Sequence, residues 1–236
     1  MAYTTIDKPS DYFETVTYAG GTTDISSLDF QPDFVWGKKR DGAENHGIFD
    51  SVRGATKTLN SNTTAAESTR SGSLTSFDSD GFTMGGSDGI ISASGNNYVA
   101  WSWKAGTSFT NDASATGIGS IDSTGSFNND SGFSIVSYTG TGSAGSIKHG
   151  MNIAPKMVIV KSRSGTGEWI TWHTGINIQA KLSLNTTDAI YNPGSGIYWN
   201  STLPTSSVFS VGTSGSVSGN GTTYIAYCFA DVQGYS

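Results

Sequence analysis

Three histidines, one cysteine, six tryptophans and nineteen carboxylates are the groups in this 236-residue chain that could do chemistry. Their spacing decides which chemistry is open. His46, His149 and His173 share no ligand spacing with one another or with a carboxylate, of the His-Glu-x-x-His kind, so a zinc centre has no support. Cys228 stands in Ala226-Tyr227-Cys228-Phe229-Ala230, apolar on both sides, the setting of a buried inert thiol. Being alone, it excludes intrachain disulfides and thiolate-rich metal sites. Asp78-Ser79-Asp80-Gly81 is the most calcium-like loop, because Asp78 and Asp80 set two oxygen ligands on a tight turn. The twelve-residue pattern ending in Glu is missing, and a turn whose carboxylates cap backbone amides explains the same residues. Glycoside hydrolysis needs two carboxylates facing across a cleft. Glu14 and Glu168 are the best placed, but both fit the solvent face of a strand. No Gly-x-Ser-x-Gly elbow with a partner His and no phosphate loop ending in Gly-Lys-Ser/Thr occurs. We expect no catalytic residue, no resident metal beyond the weak pair Asp78 and Asp80, and no cofactor.

The tryptophans leave one binding chemistry open, stacking on sugar rings. Most of the six suit a core or intersheet position. Trp199, in Gly196-Ile197-Tyr198-Trp199-Asn200 just after Pro193-Gly194, reads as the exposed one. Tyr198 and Trp199 are therefore the expected glycan contacts.

The elements that must position these groups are strands. Tyr12 to Tyr18 alternates apolar and polar residues, then Ala19-Gly20-Gly21 supplies a turn. Gly132 to Tyr138, followed by Thr139-Gly140-Thr141-Gly142, repeats the scheme. Residues 34–38 and 157–161 are apolar runs that follow a proline, which suits a strand start because it cannot donate to a ladder. Strands are further expected at 47–52 and 168–173, 57–59 and 181–184, 81–84 and 208–211, and 98–103 and 224–229. No stretch carries a convincing helical period.

These elements come in pairs. Phe30-Gln31-Pro32-Asp33-Phe34-Val35-Trp36 is answered 123 residues on by Ile153-Ala154-Pro155-Lys156-Met157-Val158-Ile159. Asn62-Thr63-Thr64 returns as Asn185-Thr186-Thr187 at the same offset, and Tyr98-Val99-Ala100-Trp101 as Tyr224-Ile225-Ala226-Tyr227 at an offset of 126. Three anchors in one order imply a duplicated unit of roughly 100 residues. The expected fold is all-β: two tandem β-sandwich units of jelly-roll or concanavalin-like form at 12–105 and 132–236. An N-terminal arm occupies 1–11 and a linker 106–131, with room for one short strand.

Composition bounds the partners. Charged residues make up 14% of the chain and the net charge is −6. No Lys/Arg run exceeds Lys38-Lys39-Arg40, so nucleic acid is not an expected partner. No run reaches 18 apolar residues and the first ten residues lack a signal pattern, so neither membrane insertion nor export is expected. Strand edges with so few charges are poorly guarded against pairing with neighbours, which points to a homo-oligomer.

The set of Phe30 to Trp36, Phe49-Asp50-Ser51-Val52-Arg53-Gly54, Leu59 to Glu67, Phe77-Asp78-Ser79-Asp80-Gly81-Phe82 and Tyr98 to Gly106 resembles a repeated β domain of virion proteins from tailed phages. The known examples come especially from phages of marine and other aquatic bacteria. The second half, from Gly132 to Gly234, resembles the same family. The resemblance implies a non-enzymatic virion structural protein, assembled in the host cytoplasm, a tail-fibre or tail-associated component in host attachment. A capsid decoration or head-fibre protein and a carbohydrate-binding or glycan-degrading module are the alternatives. Its partners would be other virion proteins, copies of itself (a trimer among the options) and a host surface glycan or protein. No site residue follows from the resemblance. The arm at 1–11 is the expected docking element.

Overall fold

A computed structural model describes residues 6–233 and 235. Residues 1–5 of the expected arm lie outside them. The remainder is anchored: Ile6 is buried, Pro9–Asp11 form a 3-10 turn, and Lys8 pairs with Asp11 and Asp29.

The chain is predominantly β, with antiparallel sheets. Its first part carries β1 (Phe13–Ala19), β2 (Asp24–Ile25), β3 (Phe34–Lys39) and β4 (Gly47–Asp50). Then come β5 (Lys57–Asn60), β6 (Ser68–Thr69), β7 (Leu74–Asp78), β8 (Gly81–Met84) and β9 (Asn97–Trp103). Next are β10 (Thr107–Asn111), the one-turn helix α1 (Ala113–Thr116) and β11 (Ser123–Asn128). The rest comprises β12 (Phe133–Thr139), β13 (Gly145–Lys148), β14 (Pro155–Ser162) and β15 (Ile170–His173). The last elements are β16 (Leu182–Ser183), β17 (Val208–Val211), a second one-turn helix, α2 (Gly215–Ser218), and β18 (Thr223–Ala230). Among the described residues no helix is long and apolar enough to cross a membrane.

One large sheet has the order β1-β9-β3-β4-β5-β6, the other β10-β11-β12-β18-β14-β15-β16. The registers correspond residue for residue. Val16 faces Ala100 as Val136 faces Ala226, Phe34 faces Trp103 as Met157 faces Phe229, and Gly37 faces Gly47 as Val160 faces Ile170. Each large sheet has a small companion, β2-β8-β7 for the first and β13-β17 for the second. Ring contacts correspond too. Tyr18 stacks on Tyr98 at 5.6 Å and meets Phe82 edge-on, while Tyr138 stacks on Tyr224 at 5.1 Å and meets Phe209 edge-on.

Residues 106–131, expected as a linker with room for one strand, carry two. Strands β10 and β11 pair onto β12 and extend the second sheet. Between them Asp112 caps α1 through the Ala115 N–H, and Gly117, at a φ of 68°, ends it in the left-handed region. The strand that corresponds to β12 in the first sheet is β1. It stands at the sheet's edge, unpaired on its outer side among the described residues.

Strand alternation sends side chains to two faces, and here both faces are buried. In β18, Tyr224, Ala226, Cys228 and Ala230 join the core beneath β13 and β17, whereas Ile225, Tyr227 and Phe229 point the other way. In β3, Val35 belongs to the core over β2, β7 and β8, and Phe34 to the opposite side. Those opposite sides meet. Phe34, Ile48 and Leu59 of the first sheet pack with Phe133, Ile135, Ile159, Trp169, Ile225 and Tyr227 of the second. The two large sheets thus share one apolar core, and each also shares a core with its small companion sheet. Burying each large apolar side chain contributes about 1.5–3 kcal/mol against about 1 kcal/mol for an ordinary hydrogen bond. The apolar seam therefore dominates the attachment of one half to the other.

Candidate functional site

The densest cluster of ionisable groups lies on this seam. Strand β4 ends at Asp50, and the chain turns back through Gly54, at a φ of 91°. Asp50 Oδ1 accepts the Arg53 N–H at 2.8 Å, and Asp50 Oδ2 accepts Arg53 Nε at 2.5 Å. Across the seam the Tyr227 hydroxyl donates to Asp50 Oδ2 at 2.7 Å. The guanidinium also donates to Ile48 O, Lys57 O and Glu67 Oε2. Glu67 in turn receives both Arg163 Nε at 2.9 Å and Arg163 Nη2 at 3.1 Å from the second half. Both side chains of the Asp50–Arg53 pair are fully buried.

Electrostatics lock Arg53, Tyr227 and Glu67 into fixed charge states. Burial alone would lower Arg53, but Asp50, Tyr227 and Glu67 outweigh it and raise its proton affinity. Burial pushes the Tyr227 phenol well above its usual value, with the Arg53 charge opposing it and Asp50 reinforcing it. Burial would raise Glu67, yet hydrogen bonds from Arg163 and the charges of Arg53 and Arg163 hold it below the usual carboxylate range. Such groups are poor proton donors or acceptors at neutral pH. What the cluster can do is fix the register of two sheets, since breaking one partner would strand a buried charge.

A second cluster involves Glu168, one of the two acids best placed in the sequence for glycosidase work. Its carboxylate accepts Lys181 Nζ and Ser183 Oγ, the latter at 2.7 Å, while Lys181 Nζ also donates to Ser183 Oγ at 2.6 Å. These hydrogen bonds hold Glu168 below its ordinary value. A Ser-Lys pair would need a neutral amine as base. This lysine faces a carboxylate and lies 5.7 Å from the Tyr198 ring and 6.0 Å from the Tyr191 ring. The group is a salt bridge bracing β15 and β16.

The other expected residues fall apart from these clusters. Asp78 Oδ2 accepts Thr83 Oγ1 at 2.8 Å and Ser76 Oγ at 3.2 Å, so its carboxylate serves its own hairpin, while Asp80 is exposed. Among the described residues no three His, Cys, Asp or Glu side chains gather in a way that could hold a metal ion. Trp199 is a correction: it was expected at the surface but is only 2% exposed, in the core of the second half. Its Nε1 donates to Ala180 O at 3.0 Å, which satisfies the one polar atom that would have favoured a wet site. A buried ring cannot stack on a glycan. Tyr198 is half-buried beside Lys181. Glu14 sits on β1, and its Oε1 accepts the Thr15 N–H.

His149 is fully buried against Thr205 O, and burial lowers it to about 4. His173 is exposed at the end of β15, and its Nδ1 accepts the Gly175 N–H. Cys228 is fully buried, and burial pushes its thiol up, which leaves it unreactive. The seam cluster escaped sequence reasoning because Asp50 and Tyr227 are 177 residues apart. The only local sign was an acid and an arginine three residues apart in a Gly-ended turn.

Two clefts of similar size open on the surface. The first, about 720 Å³, lies by α1 and β12, and its two carboxylates are engaged. Asp112 caps α1, and Asp122 Oδ1 accepts the Ala113 N–H at 2.8 Å. The second, about 730 Å³, lies where the two Asn-Thr-Thr turns approach each other and includes His46.

Compared with protein families, residues 8–236 match a domain of unknown function, DUF7483. No curated protein and no solved structure matches the chain.

Proposed function

We propose that this chain, which belongs to the DUF7483 family, is a non-enzymatic structural component of a tailed-phage particle. It is assembled in the host cytoplasm and placed at the tail in host attachment. The chain is two copies of one β-sandwich unit, joined back to back through their large sheets. One observation carries the architectural reading. The chain's densest group of charged side chains, Asp50, Arg53, Glu67 and Arg163 with Tyr227, is consumed in holding the two halves together.

The matching registers support descent from one ancestral unit, and so do backbone bonds that recur 123 residues apart. Ser51 N donates to Asp33 O and Thr174 N to Lys156 O, both at 2.8 Å. The virion assignment rests on the family resemblance stated above. Assembly into a homo-oligomer draws support from β1, whose outer edge carries no strand among the described residues, where the corresponding edge of β12 is covered by β11. A head position in place of the tail is distinguished by location on the particle.

The test is proteomics of gradient-purified particles from a host producing this chain, together with incubation of the pure protein with host surface polysaccharide. The reading expects the chain at stoichiometric copy number in particles and an unshortened polysaccharide. Absence from particles, or chain cleavage of the glycan, defeats it.

A further inference from the structure

The two halves are not equally filled where they meet. Trp169 precedes β15, and its backbone is pinned by the second Asn-Thr-Thr turn. Asn185 Oδ1 accepts the Trp169 N–H at 2.8 Å, and Leu184 N donates to Trp169 O at 3.0 Å. His46 precedes β4 in the same way. Asn62 Oδ1 accepts the His46 N–H at 2.9 Å, and Ser61 N donates to His46 O at 3.1 Å. Trp169 and His46 are thus equivalent positions. The Trp169 indole crosses the seam, stacks over Tyr227 and donates to Asn60 O at 2.9 Å, which leaves it fully buried. An imidazole is much smaller than an indole. At His46, the facing turn at 184–188 is left standing off, and a cleft of about 730 Å³ opens between them.

The lining of this cleft has a definite chemistry. Trp36 supplies a half-buried aromatic wall, held edge-on against Trp101 at 6.3 Å, and Leu184 adds apolar surface. Around it stand the Asn185 amide, the Thr187 hydroxyl and the Asp188 carboxylate. Asn185 spends its carbonyl oxygen on Trp169, and its NH₂ makes no hydrogen bond among the described residues. Thr187 and Asp188 use no side-chain atom in a hydrogen bond there either. Burial, with the charge of Lys38 adding to it, lowers His46, so a neutral ring with one donor and one acceptor faces the cleft.

An aromatic wall beside a few convergent donors and acceptors is the pattern of a small-ligand site. Ligand hydroxyls both donate and accept, which suits an amide, a hydroxyl, a neutral imidazole and a carboxylate together. Asp188 and the net charge of −6 disfavour phosphate, sulfate or sialic acid.

We propose that the cleft between the two Asn-Thr-Thr turns, formed by Trp36, His46, Asn185, Thr187 and Asp188, binds a neutral saccharide. The inference needs the packing of the two halves but not the assignment to a virus particle. It relocates the sugar-binding expectation from Trp199 to a site built from both units.

The test is a titration of the isotope-labelled full chain by NMR, at up to about 10 mM sugar, a concentration that reaches weak saccharide affinities. The probes are short mannose, galactose and N-acetylglucosamine oligosaccharides, with a sialylated trisaccharide as the anionic comparison. At least one neutral sugar should shift the Trp36 indole N–H and the Asn185 side-chain NH₂, and the sialylated one should not. Asp188→Ala and His46→Trp should each weaken that binding by about tenfold or more, the second by plugging the cleft as Trp169 plugs its counterpart. Asp188 is exposed and its carboxylate accepts no hydrogen bond among the described residues, so Asp188→Ala keeps the test valid even if His46→Trp folds poorly. Should no neutral sugar move these resonances, or should both variants bind as wild type, the cleft is not a saccharide site.

Discussion

Replacing Tyr227 by phenylalanine removes one oxygen from the seam and nothing else. That hydroxyl donates to Asp50 Oδ2 at 2.7 Å, and its ring stays packed between Phe34 and Trp169. A hydrogen bond to a charged group contributes about 1.5–3 kcal/mol, more than the 0.5–1.5 kcal/mol of a neutral one. Asp50 keeps both bonds from Arg53, so the carboxylate is not stranded and the loss should stay near 2 kcal/mol. Arg53→Met is the harsher change, because it leaves Asp50 buried without its ion pair, at a cost of about 3–5 kcal/mol. Tyr138→Phe is the matched comparison. Its hydroxyl donates to a neutral carbonyl, Val217 O, at 2.8 Å within one half, so about 1 kcal/mol should be lost. The assay is urea unfolding followed by far-ultraviolet circular dichroism and by tryptophan fluorescence. The two probes should coincide in every variant, because both halves share the seam core. A loss below about 0.5 kcal/mol for Tyr227→Phe, or separate transitions for the two probes, would refute the seam as the element joining the halves.

Other outcomes follow from the same packing. Lys161 is fully buried and donates to Ser162 O and, at 3.4 Å, to Thr64 O. Burial pulls it from 10.5 down to about 8. The unfolded chain therefore holds this proton more tightly, and stability should rise as pH climbs from about 8 to about 10.5. Lys161→Met should stabilise the protein at pH 7 and flatten that rise in a series of denaturation curves. Glu67 behaves in the opposite sense, since its folded value is depressed. Its contribution is present above the ordinary carboxylate range and is lost as pH falls through the folded value, and Glu67→Gln should blunt this acid-side loss. A Cβ on Gly20 would lie 1.9 Å from Ala93 O, and one on Gly140 would lie 2.4 Å from Gly219 O. Gly20→Ala and Gly140→Ala should therefore each cost about 1–3 kcal/mol through backbone displacement, read as lowered thermal midpoints in both variants.

Much of the strand plan could be read from residue order, for a physical reason. The apolar runs from Met157 to Val160 and from Tyr224 to Phe229 serve two cores at once, so they read as continuous rather than alternating. Short partners such as β2 and β13 left no comparable pattern. Strands β10 and β11 escaped because they extend the sheet at its edge, where Thr107, Ser108 and Thr110 remain exposed and few large apolar residues are needed. Trp199 misled because Pro193 and Gly194 mark a loop, while the ring itself turns inward and finds Ala180 O. The Asn-Thr-Thr repeat was visible as a repeat, but its job was not. Each asparagine pins the residue before a strand, and the partner lies 16 positions away in both halves.

A density map of a purified particle that contains this chain would test the account most directly. The account predicts symmetric copies on the outside of the tail, each with its two large sheets back to back and the Asp50–Tyr227 contact closed. A particle map without the chain, or one whose copies have the two sheets apart, would contradict it.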